Sequence, residues 1–334
     1  MISLVPLLAC LSALASVWCV TPLSRFAIDM HFQTFLQQHN RVYQNYQERE
    51  RRYHIFTENL QRLNEMNQLQ PHGRFEYTSY MDHTTEEFVR RHAGLRIDNS
   101  HHLCKTVTES AVPNIQTPPS FDWRDHNVVT PVKNQKKCNS CYAFSAIGNI
   151  EGQYALKHKR LLQLSPQQIV DCDKGSDGCA GGYVTSAYST LMRAGGSKLE
   201  ADYPYVEHNP HPQCSLSPYD NVVKVAGCEF FSLSSQEKLK QLLVHRGPLS
   251  IGVKIEVLHL IPKGRIIRDA DCTGAINHAV LLVGYGEENG IPYWIVKNSW
   301  GVENHDEGYF RLQRGEGLDS CGVMSAPISS AIVA

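Results

Sequence analysis

Apolar and polar positions divide the chain into stretches of different pattern. Residues Met1 to Val20 are almost wholly apolar and carry no charged side chain, and Ala13-Leu14-Ala15 supplies a small-x-small cleavage pattern. This reads as a secretory signal peptide over residues 1–20, with an uncleaved signal anchor or a buried helix as the bland alternatives. From Asp29 to about Leu95 the composition is polar and helix-favouring. Within it Glu48, Arg52, Phe56, Asn59, Leu63 and Asn67 fall at steps of four, four, three, four and four, which keeps them on one helical face. Ile97 to Pro119 has no periodicity, contains Ser, Thr, Asn and Pro, and ends in Pro118-Pro119. It reads as an exposed linker of the kind proteases nick.

Beyond the linker the pattern turns helical. From Cys141 to about Lys157, Ala143, Ile147, Ile150 and Tyr154 recur at three- and four-residue steps, one buried face of a helix. SPQQIVDC, opening on Ser165-Pro166, and YVTSAYSTLMRAGG, ending in glycines, read as further helices. Residues 249–255, 279–285, 292–297 and 308–313 read as strands. The expected class is α+β: a helical subdomain over about 119–230 and a mostly antiparallel, β-barrel-like one over about 231–330. A cleft between them is where a site should lie.

The chemistry falls on these elements. Cys141 opens its helix, where unpaired N–H groups and the positive dipole end favour a thiolate and lower the thiol pKa. His278 precedes the apolar run Ala279 to Val283, and Asn298 follows Tyr293 to Val296. Asn289-Gly290 between them signals a hairpin turn. Folded about residue 288, the hairpin sets His278 and Asn298 side by side at its open end. An Asn oxygen accepting one imidazole N–H fixes the tautomer and leaves the other nitrogen free to act on sulfur.

With these residues in view, PVKNQKKCNSCYAFSA, INHAVLLVGYG and YWIVKNSWG resemble the active-site blocks of papain-family cysteine proteases, the cathepsin-like group. His278 and Asn298 lie 137 and 157 residues beyond Cys141; the family places them roughly 130–150 downstream. The likeness runs through about residues 40 to 330. It implies the papain-like two-subdomain fold with a helical propeptide, Cys141 as nucleophile, His278 as its acid–base partner, Asn298 as orienter and Gln135 as oxyanion-hole amide. Trp300 would cover the His–Asn hydrogen bond. Gly181, Gly182, Tyr183, Val184, Gly252, Ile276, Asn277 and Ala326 would bind substrate, with Leu, Val or a bulky aromatic preferred at the second position upstream of the scissile bond.

The stripe in the polar segment is similar to the E-R-F-N-I-N pattern of the family's propeptides, with Leu63 for Ile. YTSYMDHTTEEF resembles the second propeptide block, keeping Tyr80 and Asp82 but carrying Glu76 and Thr78 elsewhere. The resemblance therefore implies an inhibitory pro-segment over 21–118, crossing the cleft in a non-productive direction, and a mature domain over 119–334 starting near Pro119. The pro-segment is rich in histidine, and acidification is expected to weaken its hold.

Of eleven cysteines, Cys10 and Cys19 lie in the signal region and Cys104 in the linker. Connectivity does not follow from spacing. The family pattern implies Cys138–Cys179, Cys172–Cys214 and Cys272–Cys321, leaving Cys141 free and Cys228 without a family counterpart. Cys228 reads as a small buried hydrophobe in preference to a reactive thiol. CNSC and Cys179 lack a second pair at zinc spacing, and HNPHPQC reads as a polar loop, so no metal and no cofactor is expected.

Composition adds limits. With 42% hydrophobic and 19% charged residues the chain can bury a large core, and a net charge of −1 gives no basic stripe for nucleic acid or an anionic membrane. After residue 20 no apolar run spans a bilayer. The expected product is a monomeric endopeptidase of the secretory pathway, lysosomal, endosomal or extracellular, acting on proteins and peptides. It lacks an N-x-[ST] sequon, so sorting through its own N-glycans is not expected.

Several positions depart from the family's pattern: Lys136-Lys137, Asn139 for Gly, Tyr142 for Trp, Ala180 for Asn, and Asn304 for Trp. They keep open a catalytically weak or silent homologue that binds or inhibits. The absence of an occluding insertion makes exopeptidase activity a minor alternative.

Overall fold

The computed structural model describes residues 23–68, 77–97, 104–208, 214 and 221–334. The expected signal peptide lies outside them. Three helices come first. α1 (Arg25–Gln38) is capped by the Ser24 hydroxyl, which accepts the Ala27 N–H at 3.2 Å. α2 spans Tyr46–Gln68, and α3 (Thr85–His92) opens on a capping box between Thr84 and Glu87.

The six-residue stripe is the face on which this segment folds. Arg52 bridges Glu48 on α2 and Glu87 on α3, at 2.6 and 2.7 Å. Asn59 Nδ2 donates to the carbonyls of Met81 and His83 at 3.0 and 2.8 Å. Phe56 and Leu63 are buried with Phe32, Phe35, Leu60 and Met81, and Leu260 of the C-terminal body completes the cluster. Asn67 accepts from Arg265 of that body at 2.7 Å.

The body is built on a mixed sheet. Its strands are β1 (Lys105–Thr108), β2 (Phe121–Asp122), β3 (Val225–Ser232), β4 (Leu249–Val253), β5 (Ile266–Ile267), β6 (His278–Glu288), β7 (Ile291–Lys297), β8 (Tyr309–Gln313) and β9 (Ile328–Val333). They run in the order β1-β3-β9-β4-β6-β7-β8-β5, with β2 beside β6. β1–β3 and β5–β8 pair parallel and the rest antiparallel. Helices α4 (Cys141–His158), α5 (Pro166–Cys172) and α6 (Val184–Arg193) lie before β3, and α7 (Gln236–Arg246) follows it. α4 is buried on nearly every side, because it packs between α5, α6 and strands β4, β6 and β9. α5 starts with a Ser165 cap and Pro166 in its first turn, where a missing N–H costs nothing.

The hairpin of β6 and β7 turns at Asn289 and Gly290, both at positive φ, as a tight primed turn requires. Its register corrects the expected centre at residue 288. Glu288 faces Ile291, and Val283 bulges between the Leu282 and Gly284 pairs, leaving Leu281 opposite Lys297. Continued from there, the register sets Asn298 opposite Val280, two residues from His278 on the same strand face. The two side chains thus meet as a diagonal pair.

The linker expectation is corrected too. Of residues 97–119, those from Cys104 on form β1 and a short 3₁₀ turn, and Val112 is buried in the main core. The reading of Cys228 as an unpaired hydrophobe is overturned by a Cys104–Cys228 disulfide. Sequence spacing gave no sign of it, since the bond joins segments 124 residues apart. The remaining pairs are Cys138–Cys179, Cys172–Cys214 and Cys272–Cys321, and Cys141 is a free thiol.

Candidate active site

Cys141 is the first residue of α4, preceded by Ser140, whose side chain makes no cap hydrogen bond. Ala143 and Phe144 donate their N–H groups to Ser140 O, which leaves those of Cys141 and Tyr142 to act on the sulfur. Backbone N–H groups of Ala279, Gly94, Tyr142 and Cys141 itself favour the thiolate, but complete burial outweighs them and pushes the Cys141 thiol up to about 12. The lowered thiol pKa expected of a helix terminus is thus reversed in this state by desolvation.

His278 opens β6, and its Nε2 lies 2.8 Å from Asn298 Oδ1. The same oxygen accepts the Ser299 N–H at 2.8 Å, so the Asn298 side chain is held from its own backbone. His278 Nδ1 is buried with no hydrogen-bond partner. Burial pulls the imidazole down to about 4, against the Asn298 contact and the nearby backbone carbonyl of His92. The Trp300 ring lies 4.9 Å from the imidazole and closes one side of the His–Asn pair. Gln135 is fully buried. Its Nε2 donates to Cys138 O at 3.0 Å, and its Oε1 accepts from Ser299 Oγ at 2.6 Å. The Gln135 N–H also donates to Ser299 O at 2.7 Å, which ties the loop before Cys141 to the strand end that carries Asn298.

The chain from α3 lies over this group. The N–H groups of Gly94 and Leu95 both donate to Asn277 O, at 3.0 and 2.9 Å, while Gly94 O accepts from Gly182 N at 2.8 Å. Leu95 and Gly182 form a parallel bridge. Gly181, at φ +109°, takes a conformation that side chains resist, and a Cβ there would fall 2.7 Å from Gly94 O. A Cβ on Gly94 would come within 2.1 Å of Asn139 O; only glycine lets the strand pass this close to the Cys141 loop.

The Leu95 side chain enters a recess formed by three of the expected substrate-binding residues. A Cβ placed on Gly252 would meet Ile276 Cγ2 at 2.8 Å, Leu95 Cδ2 at 2.9 Å and Ala326 Cβ at 3.0 Å. Val184 belongs to the buried cluster against which Leu95 packs, and Tyr183 caps α6 just before it. The structure therefore gathers Gly181, Gly182, Gly252, Ile276, Asn277 and Ala326 around one segment.

The departures from the family pattern are accommodated locally. Lys136 sits at φ +53°, where glycine is usual, and its ammonium lies 3.7 Å from Glu207; the Lys137 N–H donates to the same carboxylate at 2.9 Å. Asn139 Nδ2 donates to Arg90 O at 3.2 Å. Tyr142 is buried and its hydroxyl donates to Gly178 O at 3.2 Å. Asn304 Nδ2 donates to Trp300 O at 2.6 Å.

Sequence reasoning missed Ser299 and Tyr205, which grip Gln135 by side chain and hydroxyl, and it missed Gly94 and Leu95. Only the short NSWG run hinted at the first, and a lone Gly-Leu in a polar segment carries no periodic signal. Among the described residues no group of three or more His, Cys, Asp or Glu could hold a metal ion, and no helix is long and apolar enough to cross a membrane.

The papain family cysteine protease domain matches residues 117–331, and the cathepsin propeptide inhibitor domain (I29) matches residues 32–88. The viral cathepsin of Mamestra configurata nucleopolyhedrovirus is 39% identical over 91% of this chain and 89% of its own length. That of Orgyia pseudotsugata multicapsid polyhedrosis virus is 38% identical over 90% and 91%. Among solved structures, the digestive procathepsin L2 proteinase of Tenebrio molitor larval midgut superposes with a TM-score of 0.80 at 30% identity, covering 91% of this chain and 99% of that one. The proform of the ragweed pollen allergen Amb a 11, a cysteine protease, gives 0.79 at 32%, covering 92% and 94%. The chain belongs to the papain family of cysteine proteases, and it is a proenzyme with a papain-like fold whose N-terminal I29 segment is the inhibitor of its own peptidase domain.

Proposed function

We propose that the mature domain is an endopeptidase working through Cys141, His278, Asn298 and Gln135, with apolar selection at the second residue upstream of the scissile bond. The observation that carries this reading is the His278 Nε2–Asn298 Oδ1 contact of 2.8 Å with Nδ1 left without a partner, beside a Cys141 sulfur served by the Ala279 N–H. The Cys141 thiolate attacks the peptide carbonyl, and imidazolium His278 gives its proton to the leaving amine, producing an acyl-enzyme. His278 then takes a proton from the water that hydrolyses the thioester, and Cys141 leaves as thiolate. Asn298 holds the ring for both transfers, and Gln135 with the Cys141 N–H faces the developing oxyanion.

In the proenzyme the same pair is silent on electrostatic grounds. The segment at Gly94 excludes water, so burial pushes the thiol up and the imidazole down and the neutral pair wins. Uncovering the cleft removes that desolvation and lets the dipole of α4 and the mutual attraction of thiolate and imidazolium act.

Selectivity follows from the recess that Leu95 fills, whose walls Gly252, Ile276 and Ala326 offer no charge. The test is a peptide library with every residue at the second upstream position. Cleavage concentrated on Leu, Val and aromatics, and lost in Cys141→Ala, supports the reading. A profile led by Arg overturns the pocket assignment, and no turnover by fully processed protein overturns the endopeptidase. Four disulfides fit an oxidising, secretory compartment.

A further inference from the structure

Residues 104–116 lie between the two matched family segments, and the contacts of 104–118 are with the peptidase body rather than with the pro-segment helices. β1 lies along β3 from Lys105–Glu229 to Thr108–Ser232 and forms the edge of the sheet. Glu109 accepts from both the N–H and the hydroxyl of Ser234, each at 2.6 Å. Val112 is 4% exposed within the main core. Pro118 O accepts from the Tyr285 hydroxyl at 2.9 Å. At the head of this run Cys104 is bonded to Cys228 on β3. Among the described residues the last inhibitory contacts lie upstream, at Gly94 to Arg96. Cleft blocking and body building thus change over between Arg96 and Cys104, and the covalent bond lies on the body side.

We propose that the Cys104–Cys228 disulfide makes the 104–118 segment a permanent arm of the working peptidase, so that peptide-bond cleavage frees the inhibitory segment only when the cut falls before Cys104. The proposal rests on the reading that this proenzyme is activated by cutting. A cut near Pro119, where a mature start is expected from the sequence, breaks the backbone but leaves the inhibitory residues joined to β3 through sulfur. They then remain at the high effective concentration of a tethered ligand and continue to occupy the cleft. Separation of that two-chain form requires a two-electron reductant, for example a dithiol. One molecule of it is oxidised to its cyclic disulfide, and Cys104 and Cys228 each leave as a thiol, two electrons and two protons being transferred. The arm also covers the β3 edge, which without it presents unpaired backbone groups.

The experiment is intact-mass analysis of wild-type protein activated in acid without reductant, quenched with N-ethylmaleimide, and measured before and after treatment with a trialkylphosphine. The expected active species begins before Cys104, or carries a disulfide-linked peptide containing Cys104 that the phosphine releases; Cys228 is unlabelled before reduction. An active, unreduced species that begins after Cys104, bears no linked peptide and has Cys228 labelled by maleimide would overturn the proposal. To separate this from failure of self-processing, the Cys141→Ala proenzyme is cut with pepsin at acid pH and read the same way, since that readout needs no activity of its own. A Cys104→Ser/Cys228→Ser variant cut by pepsin after residue 104 should lose the inhibitory segment without reductant. Retention of the segment there to the wild-type extent would show that packing, not the disulfide, holds it, and would equally sink the idea.

Discussion

Gln135, the oxyanion donor of the proposed mechanism, is fixed by groups to which that mechanism gives no chemistry. Its amide is anchored at the oxygen by Ser299 and at the nitrogen by Cys138 O, leaving one N–H for an oxyanion. Gln135→Ala should lower kcat by about 100-fold or more, the usual cost of one oxyanion donor, with KM little changed. Steady-state kinetics on an apolar peptide substrate check this, and a loss confined to KM would place Gln135 in binding. At the proposed selectivity recess the residue to test is Gly252. Gly252→Ala puts a methyl within about 3 Å of Ile276 and Ala326, filling the space that Leu95 Cδ2 now shares. A carbon of lost room is worth roughly 1–3 kcal/mol in an apolar pocket. Turnover of Phe and Leu substrates should therefore fall about tenfold relative to Val, as measured by kcat/KM ratios.

At the scale of elements, the pro-segment is held by a hinge of charges between α2 and α3. Arg52 is the common partner of Glu48 and Glu87, and Glu87 also closes the α3 capping box. In Arg52→Ala both carboxylates keep only Arg51 as an ion-pair partner, which lies 2.6 Å from Glu87 and 3.5 Å from Glu48. Solvent screens the Arg52–Glu48 pair, so the loss falls mainly on Arg52–Glu87, the pair that joins α2 to α3. The variant should open about tenfold faster at mildly acid pH, read as the rate at which Cys141 reacts with an alkylating probe; an unchanged rate would show that α3 is held by its apolar face alone. Which elements were legible follows from how local their signal is. α4, α2 and the β6–β7 hairpin announce themselves by period and turn residues. The diagonal His278–Asn298 pairing was hidden by the Val283 bulge, a register shift that no side-chain pattern encodes. β1 was hidden because its pairing partner β3 lies more than 120 residues away, and a four-residue edge strand among Ser, Thr and Pro residues has no alternation to read.

At the scale of the whole molecule, buried neutral histidines join pro-segment to body. His92 of α3 packs 4.7 Å from the Trp300 ring, and burial lowers its pKa to about 3, with His278, Arg91, His83 and His305 adding to the shift. His259 of the body packs 5.3 Å from Phe88 and is lowered to about 4, again by burial first. The sign is fixed by linkage: an exposed histidine takes a proton near pH 6.5, the buried one only near 3 to 4. The open state therefore binds more protons between those values, and closure weakens as pH falls. For His92 alone the closed state loses as much as ~100-fold in equilibrium at pH 4.5 if the open group titrates normally. His92→Leu should flatten the acceleration of Cys141 labelling between pH 7 and pH 4.5, while wild type shows it in full. An equally steep profile in the variant would move the acid trigger to other groups. The resemblance made the nucleophile, base and orienter nameable because those residues sit in short contiguous blocks. The coverage of the cleft by Gly94 and Leu95 was not nameable, because the segment carries no motif at that point and acts through backbone atoms.

The function proposed for this chain rests most directly on the reactivity of one sulfur. An epoxide thiol probe should be applied at matched pH to the intact proenzyme and to the processed enzyme, with adducts located by peptide mapping and with Cys141→Ala alongside. Stoichiometric labelling at Cys141 in the processed form, in step with loss of peptidase activity, and labelling at least ~100-fold slower in the proenzyme is the predicted result, since burial of the pair suppresses the thiolate. A folded, processed protein that leaves Cys141 unlabelled, or a proenzyme that labels as fast as the processed form, would contradict it.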